Sequence, residues 1–207
     1  MLGRIRRSIC SAGSRLLVER SRYEEVLDRL GQRFAALQVG PALSDLDCGP
    51  LIRATQLDRV EAFLAEAAQD GIATVAQGSI VADAPRGGYY VAPRLLRDVP
   101  AQSRIACEEV FGPVLVAMPF DDEAEAVRVA NGTSYGLVAG VWTNDGSRQL
   151  RLARSIRSGQ VFVNSYGAGG GVELPFGGVK HSGHGREKGF EALYGFTTLK
   201  TVVLRHG

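Results

Sequence analysis

From Val114 to Asn164 the chain switches repeatedly between two hydrophobic patterns, and this switching restricts the folds open to it more than any other feature. The runs VLVAMPF at 114–120, LVAGVWT at 137–143 and QVFVN at 160–164 are short and apolar, as strands buried on both faces require. Between them lie DDEAEAVRVAN at 121–131 and GSRQLRLARSIRSG at 146–159, each long enough for a helix. The first opens on acids that suit the positive end of a helix dipole, and the second closes on Gly159. Strand and helix in turn, with short connections, predict an α/β fold: a largely parallel sheet flanked by helices.

The flanking sequence extends the pattern. RLLVE at 15–19 reads as a strand, and EEVLDRLGQRFAAL at 24–37 as a helix whose Val26, Leu27, Leu30, Phe34 and Leu37 share one face. Residues 39–54 carry Gly40, Pro41, Gly49 and Pro50 and read as a loop. In TQLDRVEAFLAEAAQDG at 55–71, Val60, Phe63, Leu64, Ala67 and Ala68 form a helical stripe, with Gly71 at the capping position. ATVA at 73–76 and YYVAPRLL at 89–96 are strand candidates. Near the end, REKGFEALYGF at 186–196 reads as a helix and LKTVVLR at 199–205 as a last strand.

Composition narrows the function classes. With 207 residues, 45% hydrophobic and 22% charged, the chain is long enough for one or two packed domains, and collagen-like or disordered readings fail. A net charge of +2 gives no bulk attraction to nucleic acid or membrane, so neither partner is expected. Cys10, Cys48 and Cys107 are odd in number and form no CxxC, which argues against a disulfide framework or structural zinc and points to a reducing compartment, the cytoplasm. The first 20 residues hold five Arg, three Ser and one acid, a transit-peptide profile; the preferred reading is a short basic start running into structured sequence.

Four features are candidates for chemistry. Cys10 sits in SICSAGSR, where small neighbours let a substrate approach the sulfur and Arg15 is near enough to favour thiolate, although a lone cysteine is more often an inert buried residue. Glu108 and Glu109 precede Phe-Gly-Pro and an apolar strand, a place from which a carboxylate can accept hydrogen bonds from ribose hydroxyls; a solvated acidic pair is the plainer alternative. Gly167, Gly169 and Gly171 give GxGxG and lead into Val-Glu-Leu-Pro, not the dinucleotide fingerprint, so they read as a turning loop. His181 and His184 lack a third ligand at sensible spacing, and no metal site is expected.

Taken together, EEVFGPVL at 108–115, ANGTSYGLVAGVWT at 130–143, GQVFVN at 159–164, PFGGVKHSGHGREKG at 175–189 and LKTV at 199–202 resemble the carboxy-terminal half of the NAD(P)-dependent aldehyde dehydrogenases. CSAGSRLLV at 10–18, CGPLI at 48–52 and YYVAPRLL fall in the same order, so the resemblance covers roughly 8–205. It implies that Cys10 is the nucleophile, that Glu109 holds the nicotinamide ribose, that Phe111 lies against the nicotinamide end of the cofactor and that Phe176 lines the substrate tunnel. It also implies an atypical basic start at 1–8, a catalytic domain at 9–198 and a C-terminal oligomerisation strand at 199–207.

The implied reaction is thiolate attack on an aldehyde, hydride transfer to NAD or NADP, and thioester hydrolysis to a carboxylic acid. Three family elements have no counterpart in the sequence: the pyrophosphate-binding glycine segment, the glutamate of Glu-Leu-Gly-Gly-Lys and the oxyanion asparagine. Arg7-Ser8 also stands where the family has Gly-Gln. The chain is therefore expected to be a truncated aldehyde dehydrogenase, weak or inactive alone, that forms homo-oligomers or pairs with a complementary cofactor-binding chain. The alternative is a non-enzymatic remnant or subunit-interaction module with at most residual esterase activity.

Overall fold

A computed structural model of the chain describes residues 10–167 and 171–207. The chain divides into two compact units, Met1–Ser134 and Tyr135–Gly207. The basic start at 1–8, and Gly169 of the glycine cluster, lie outside the described residues.

In the first unit the central element is β6 (Val114–Phe120), which coincides with the apolar run read from sequence. It lies between β1 (Arg15–Glu19) and β5 (Arg94–Leu96), parallel to both, with Arg15 opposite Val116 and Leu96 opposite the same residue. β3 (Thr74–Gln77) closes the sheet antiparallel to β5, so the sheet is mixed, in the order β1-β6-β5-β3. A two-stranded ladder of β2 (Gln38–Val39) and β4 (Ser79–Ile80) stands apart from it. The strand expected over 89–96 is confined to 94–96. Pro93 has no N–H to donate to a ladder, which stops the pairing there.

β6 is apolar at every position from Val114 to Met118 because both of its faces are covered. Val114, Val116 and Met118 join Leu96 in packing with Val60, Phe63, Leu64 and Ala67 of α2 (Ala54–Gln69). Ala117 and Leu95 face the other way, into a cluster with Val18 and with Tyr23, Leu27 and Phe34 of α1 (Tyr23–Ala35). One helix on each side makes three layers, and fully burying side chains of this size is worth about 1.5–3 kcal/mol each. The apolar stripes expected on both helices are the ones that meet the sheet. α2 ends in a Schellman cap: Gly71 takes φ 76°, its N–H donates to Ala68 O, and Ile72 N–H donates to Ala67 O.

Two shorter helices complete this unit. α3 (Arg104–Cys107) precedes the acidic pair, and α4 (Glu123–Asn131) starts at Asp122, whose carboxylate accepts the Glu125 N–H.

The second unit is built on a β-α-β segment. β7 (Val138–Val141) and β8 (Gln160–Val163) pair in parallel, Val138 opposite Gln160, and α5 (Gly146–Ser155) connects them. α5 stops at Ser155, four residues short of Gly159. The helix expected over 186–196 shrinks to α6 (Glu191–Gly195). Gly185, Lys188 and Gly189 all take left-handed backbone, which a helix cannot pass through. The last strand expected at 199–205 is a correction within the chain: residues 196–207 carry no helix or strand and are exposed. An extended segment becomes a strand only when a neighbour accepts its N–H groups, and among the described residues none does.

Candidate active site

The thiol named from sequence lies in a turn just ahead of β1. Cys10 is exposed, Cys107 is half-buried and donates to Ala101 O at 3.2 Å, and Cys48 is buried. Burial pushes the Cys48 thiol up, so it stays protonated. Cys10 is thus the most exposed of the three. Ser11 beside it is buried, which anchors the turn.

Arg15 does not serve Cys10 in the way the sequence suggested. Its guanidinium donates to Val129 O at 2.7 Å and to Ala130 O at 3.3 Å, satisfying carbonyls in the last turn of α4. Burial lowers its pKa, and the thiol that acts on it electrostatically is Cys107. The spacing from Cys10 to Arg15 is real, but Arg15 lies in β1, and its strand register points it at the neighbouring helix end.

The turn carrying Glu109 and Phe111 leads into β6 as the Cys10 turn leads into β1. These strands are parallel neighbours, and Val116 N–H donates to Ser14 O at 3.0 Å. Both turns therefore lie at the amino-terminal end of the sheet, whereas open α/β sheets more often bind ligands at the carboxyl ends.

Within the EEVFG turn the two acids have different fates. Glu108 is paired with Arg104 (Nε to Oε1, 3.1 Å) and with Arg59 (3.9 Å), while Arg104 also holds Glu66 at 2.7 Å. Both arginines also stack on the Phe63 ring, with their guanidinium carbons 4.9 and 4.3 Å from its centroid. Glu109 is exposed, and its carboxylate has no hydrogen-bond or ion-pair partner among the described residues. An unspent carboxylate on a fixed turn is the acceptor pair that a ribose diol needs, so the residues fit a nicotinamide ribose.

The turn is held from α2. Gln56 donates through Nε2 to Val110 O and Phe111 O, both at 2.9 Å, and Arg59 donates to Glu109 O at 2.7 Å. Phe111 takes φ 57°, a left-handed conformation that costs a non-glycine residue about 1–2 kcal/mol. A Cβ at Gly112 would lie 2.5 Å from Val60 Cγ2, so a larger residue there must displace the buried Val60 side chain. Sequence reading missed Gln56 and Arg59. They are polar positions on a helix 54 and 50 residues away from their partners, and no local pattern announces such a pairing.

Phe176 belongs to the second unit and is half-buried. It exchanges two backbone hydrogen bonds of 2.7 Å with Glu187, while Gln160 Nε2 donates to Pro175 O at 3.0 Å. The PFGG segment is thereby tied to HGREKG. Asn164 takes φ 51° and clasps Thr143, accepting its N–H and donating to its carbonyl at 3.0 Å each. His181 stands edge-on to Tyr135, and no group of three or more metal-ligating side chains stands together among the described residues.

No helix among the described residues is long and apolar enough to cross a membrane. The aldehyde dehydrogenase family model matches residues 7–202. The chain belongs to the aldehyde dehydrogenase family. It is 39% identical over 200 residues to betaine aldehyde dehydrogenase 1 of Rhizobium meliloti, covering 96% of this chain and 41% of that protein. A crystal structure from Burkholderia cenocepacia, assigned to the aldehyde dehydrogenases, is 67% identical with a TM-score of 0.93, over 97% of this chain and 42% of that one. The NAD+ complex of a Bacillus cereus aldehyde dehydrogenase is 38% identical with a TM-score of 0.87, over 94% and 39% respectively. The chain thus spans about two fifths of the length of these relatives. Its α/β fold, with a mixed sheet between helices, is the fold of these aldehyde dehydrogenases.

Proposed function

We propose that this chain is the cysteine-bearing portion of an NAD(P)-dependent aldehyde dehydrogenase that oxidises a small aldehyde to a carboxylic acid in the cytoplasm. The observation that carries this reading is the pairing, at one end of one sheet, of the exposed Cys10 thiol with a turn bearing an unspent Glu109 carboxylate.

Cys10 Sγ, as thiolate, forms a bond to the aldehyde carbon, and the carbonyl oxygen gains charge and then a proton. The thiohemiacetal carbon next loses its hydride and its hydroxyl gives up its proton to solvent, leaving an acyl thioester on Sγ. Water adds to that carbon, the C–S bond breaks, and the carboxylic acid leaves with Cys10 restored as thiolate. A thiolate suits both ends of this cycle, being nucleophilic near neutral pH and a good leaving group from an acyl carbon. When bound, NAD or NADP supplies the hydride acceptor. Glu109 would hold the nicotinamide ribose by accepting from its hydroxyls, Phe111 would lie against the nicotinamide end, and Phe176 would line the substrate tunnel.

The sequence contains no pyrophosphate-binding motif, so a cofactor-binding portion outside these 207 residues completes the site in this reading, supplied by a complementary chain. Association of copies through the exposed segment at 199–207 belongs to the same proposal. The test is NAD(P)H formation when the chain is mixed with the cofactor-binding portion of a relative. Turnover above either component alone, abolished by Cys10→Ser, is expected; no gain on mixing removes the enzymatic reading.

One observation favours a second reading. Phe190, Tyr194, Phe196, Leu199 and Val203 are each more than four-fifths exposed, as an interaction module would require. In that case the chain hydrolyses activated esters at most weakly, and cross-linking recovers it bound to a full-length relative.

A further inference from the structure

The turns bearing Cys10 and Glu109 lie at the amino-terminal ends of β1 and β6, and the carboxyl ends of the same two strands are built differently. After β1 the chain enters α1, whose Tyr23, Leu27 and Phe34 pack with Ala117 on one face of the sheet. After β6 it enters α4, whose Val129 joins the cluster of Val116 and Met118 on the other face. Neighbouring parallel strands whose connections diverge in this way leave a crevice between their carboxyl ends, and open α/β sheets bind ligands in such crevices.

A cleft of about 470 Å³ occupies this position, a volume ordinary for a small-molecule site. Its apolar lining includes Val99, Met118 and Val129, all buried, and its polar lining includes Arg20, just after β1, Gln102, and Glu125 and Arg128 of α4. With Asp98 counted, two arginines face two acids and the formal charges cancel. The hydrogen-bonding capacities do not. Glu125 accepts from Arg128 Nη2 and from the Asp121 N–H, both at 2.9 Å, and Asp98 is held by Arg97 Nε at 2.6 Å. Arg20 spends Nε and Nη2 on Asp121 and keeps Nη1, Arg128 keeps Nε and Nη1, and the Gln102 amide has no partner among the described residues. The surplus is of N–H donors beside apolar side chains, which is the complement of a carboxylate on a short apolar body. An ammonium would have to break pairs that the acids already make, and a dianion would be repelled by Asp98 and Glu125.

We propose that this cleft is a further ligand site, which takes a small monocarboxylate: the carboxylate meets Arg20 and Arg128, and the apolar chain lies on Val99, Met118 and Val129. The site does not depend on the cofactor reading above, because every lining residue belongs to the first unit of this chain.

The experiment titrates the whole chain with sodium butyrate and, separately, with butylammonium chloride and inorganic phosphate at matched ionic strength, following backbone amide shifts by NMR. Butyrate is expected to saturate in the millimolar range, as a ligand of so few atoms allows, and to move amides at 99–102 and 123–129. Arg20→Gln and Arg128→Gln are each expected to weaken it about tenfold, the effect of removing a charged donor. Arg29→Gln, which alters an exposed arginine on α1, should change it less than about twofold. Both cleft arginines have mostly exposed side chains, and unmoved amide positions in α2 and β5 show that the variants are folded. Absence of saturable shifts at the cleft with butyrate overturns the proposal. So does butylammonium or phosphate binding there as tightly as butyrate, unchanged affinity in both cleft variants, or an equal loss in Arg29→Gln.

Discussion

At the level of single residues, the adjacent glutamates show how neighbours of identical chemistry come to differ. Glu108 is consumed by Arg104 and Arg59, and Glu109 is left with its oxygens free among the described residues. With the cofactor-binding portion of a relative present, Glu109→Gln is therefore expected to weaken NAD+ binding about 10–100-fold, as for loss of hydrogen bonds to a charged acceptor. Glu108→Gln should leave binding within about twofold, and isothermal titration of both variants separates the two. Tyr23 is the other residue whose chemistry is exposed to test. Its hydroxyl, buried beneath the sheet, donates to Ala117 O at 3.1 Å and accepts the Asp98 N–H at 2.8 Å. Tyr23→Phe should cost about 1–3 kcal/mol in urea denaturation, because it leaves the buried Ala117 carbonyl and the part-buried Asp98 N–H unpaired. Burial, first among the causes, also raises the Tyr23 pKa. A phenol raised in the folded state stabilises the fold fully below its unfolded value and loses that contribution as pH climbs through the folded one. Stability of the wild-type chain should thus fall above about pH 10, the ordinary tyrosine value, and this alkaline loss should shrink in Tyr23→Phe.

Among the elements, α2 has two roles on two faces. Its apolar stripe of Val60, Phe63, Leu64 and Ala67 was legible from spacing because burial against a sheet demands a 3.6-residue repeat. Its Gln56 and Arg59 were not legible, since a polar side chain on a helix carries no mark of the distant carbonyl it will meet. The cap of α2 was legible in Gly71, which takes φ 76° with open space around it. Gly71→Ala should destabilise by about 1 kcal/mol through backbone strain alone, measured as a lower denaturation midpoint with unchanged slope. β6 was read to the residue because both its faces are covered, while β5 and α6 came out shorter than their apolar content suggested. Pro93 and the left-handed stretch at 188–189 set those limits.

For the molecule as a whole, the distribution of apolar surface is the informative quantity. Folding covers both faces of the four-stranded sheet, yet leaves Leu199 97%, Val203 86% and Leu204 75% exposed in a segment with no partner strand among the described residues. An unpaired apolar segment is a template for pairing with another chain. If copies associate through it, Val203→Asp should shift the chain to smaller species in sedimentation velocity while its thermal midpoint, measured when dilute, stays the same. A sedimentation profile identical to wild type would remove 199–207 from the association surface.

What the sequence determined by itself was the class of fold and the family, and it singled out Cys10 as the candidate thiol. These rest on periodicity, order of motifs and small residues around Cys10, all of which are local or linear properties of a chain. The tertiary structure alone decided which cysteine stays open, which of two glutamates stays free, where Arg15 directs its charge and which helix holds the Phe111 turn. Those are outcomes of strand register and long-range pairing. They depend on which groups run short of hydrogen-bond partners once the sheet is assembled, and a linear reading cannot see that shortage before the partners meet.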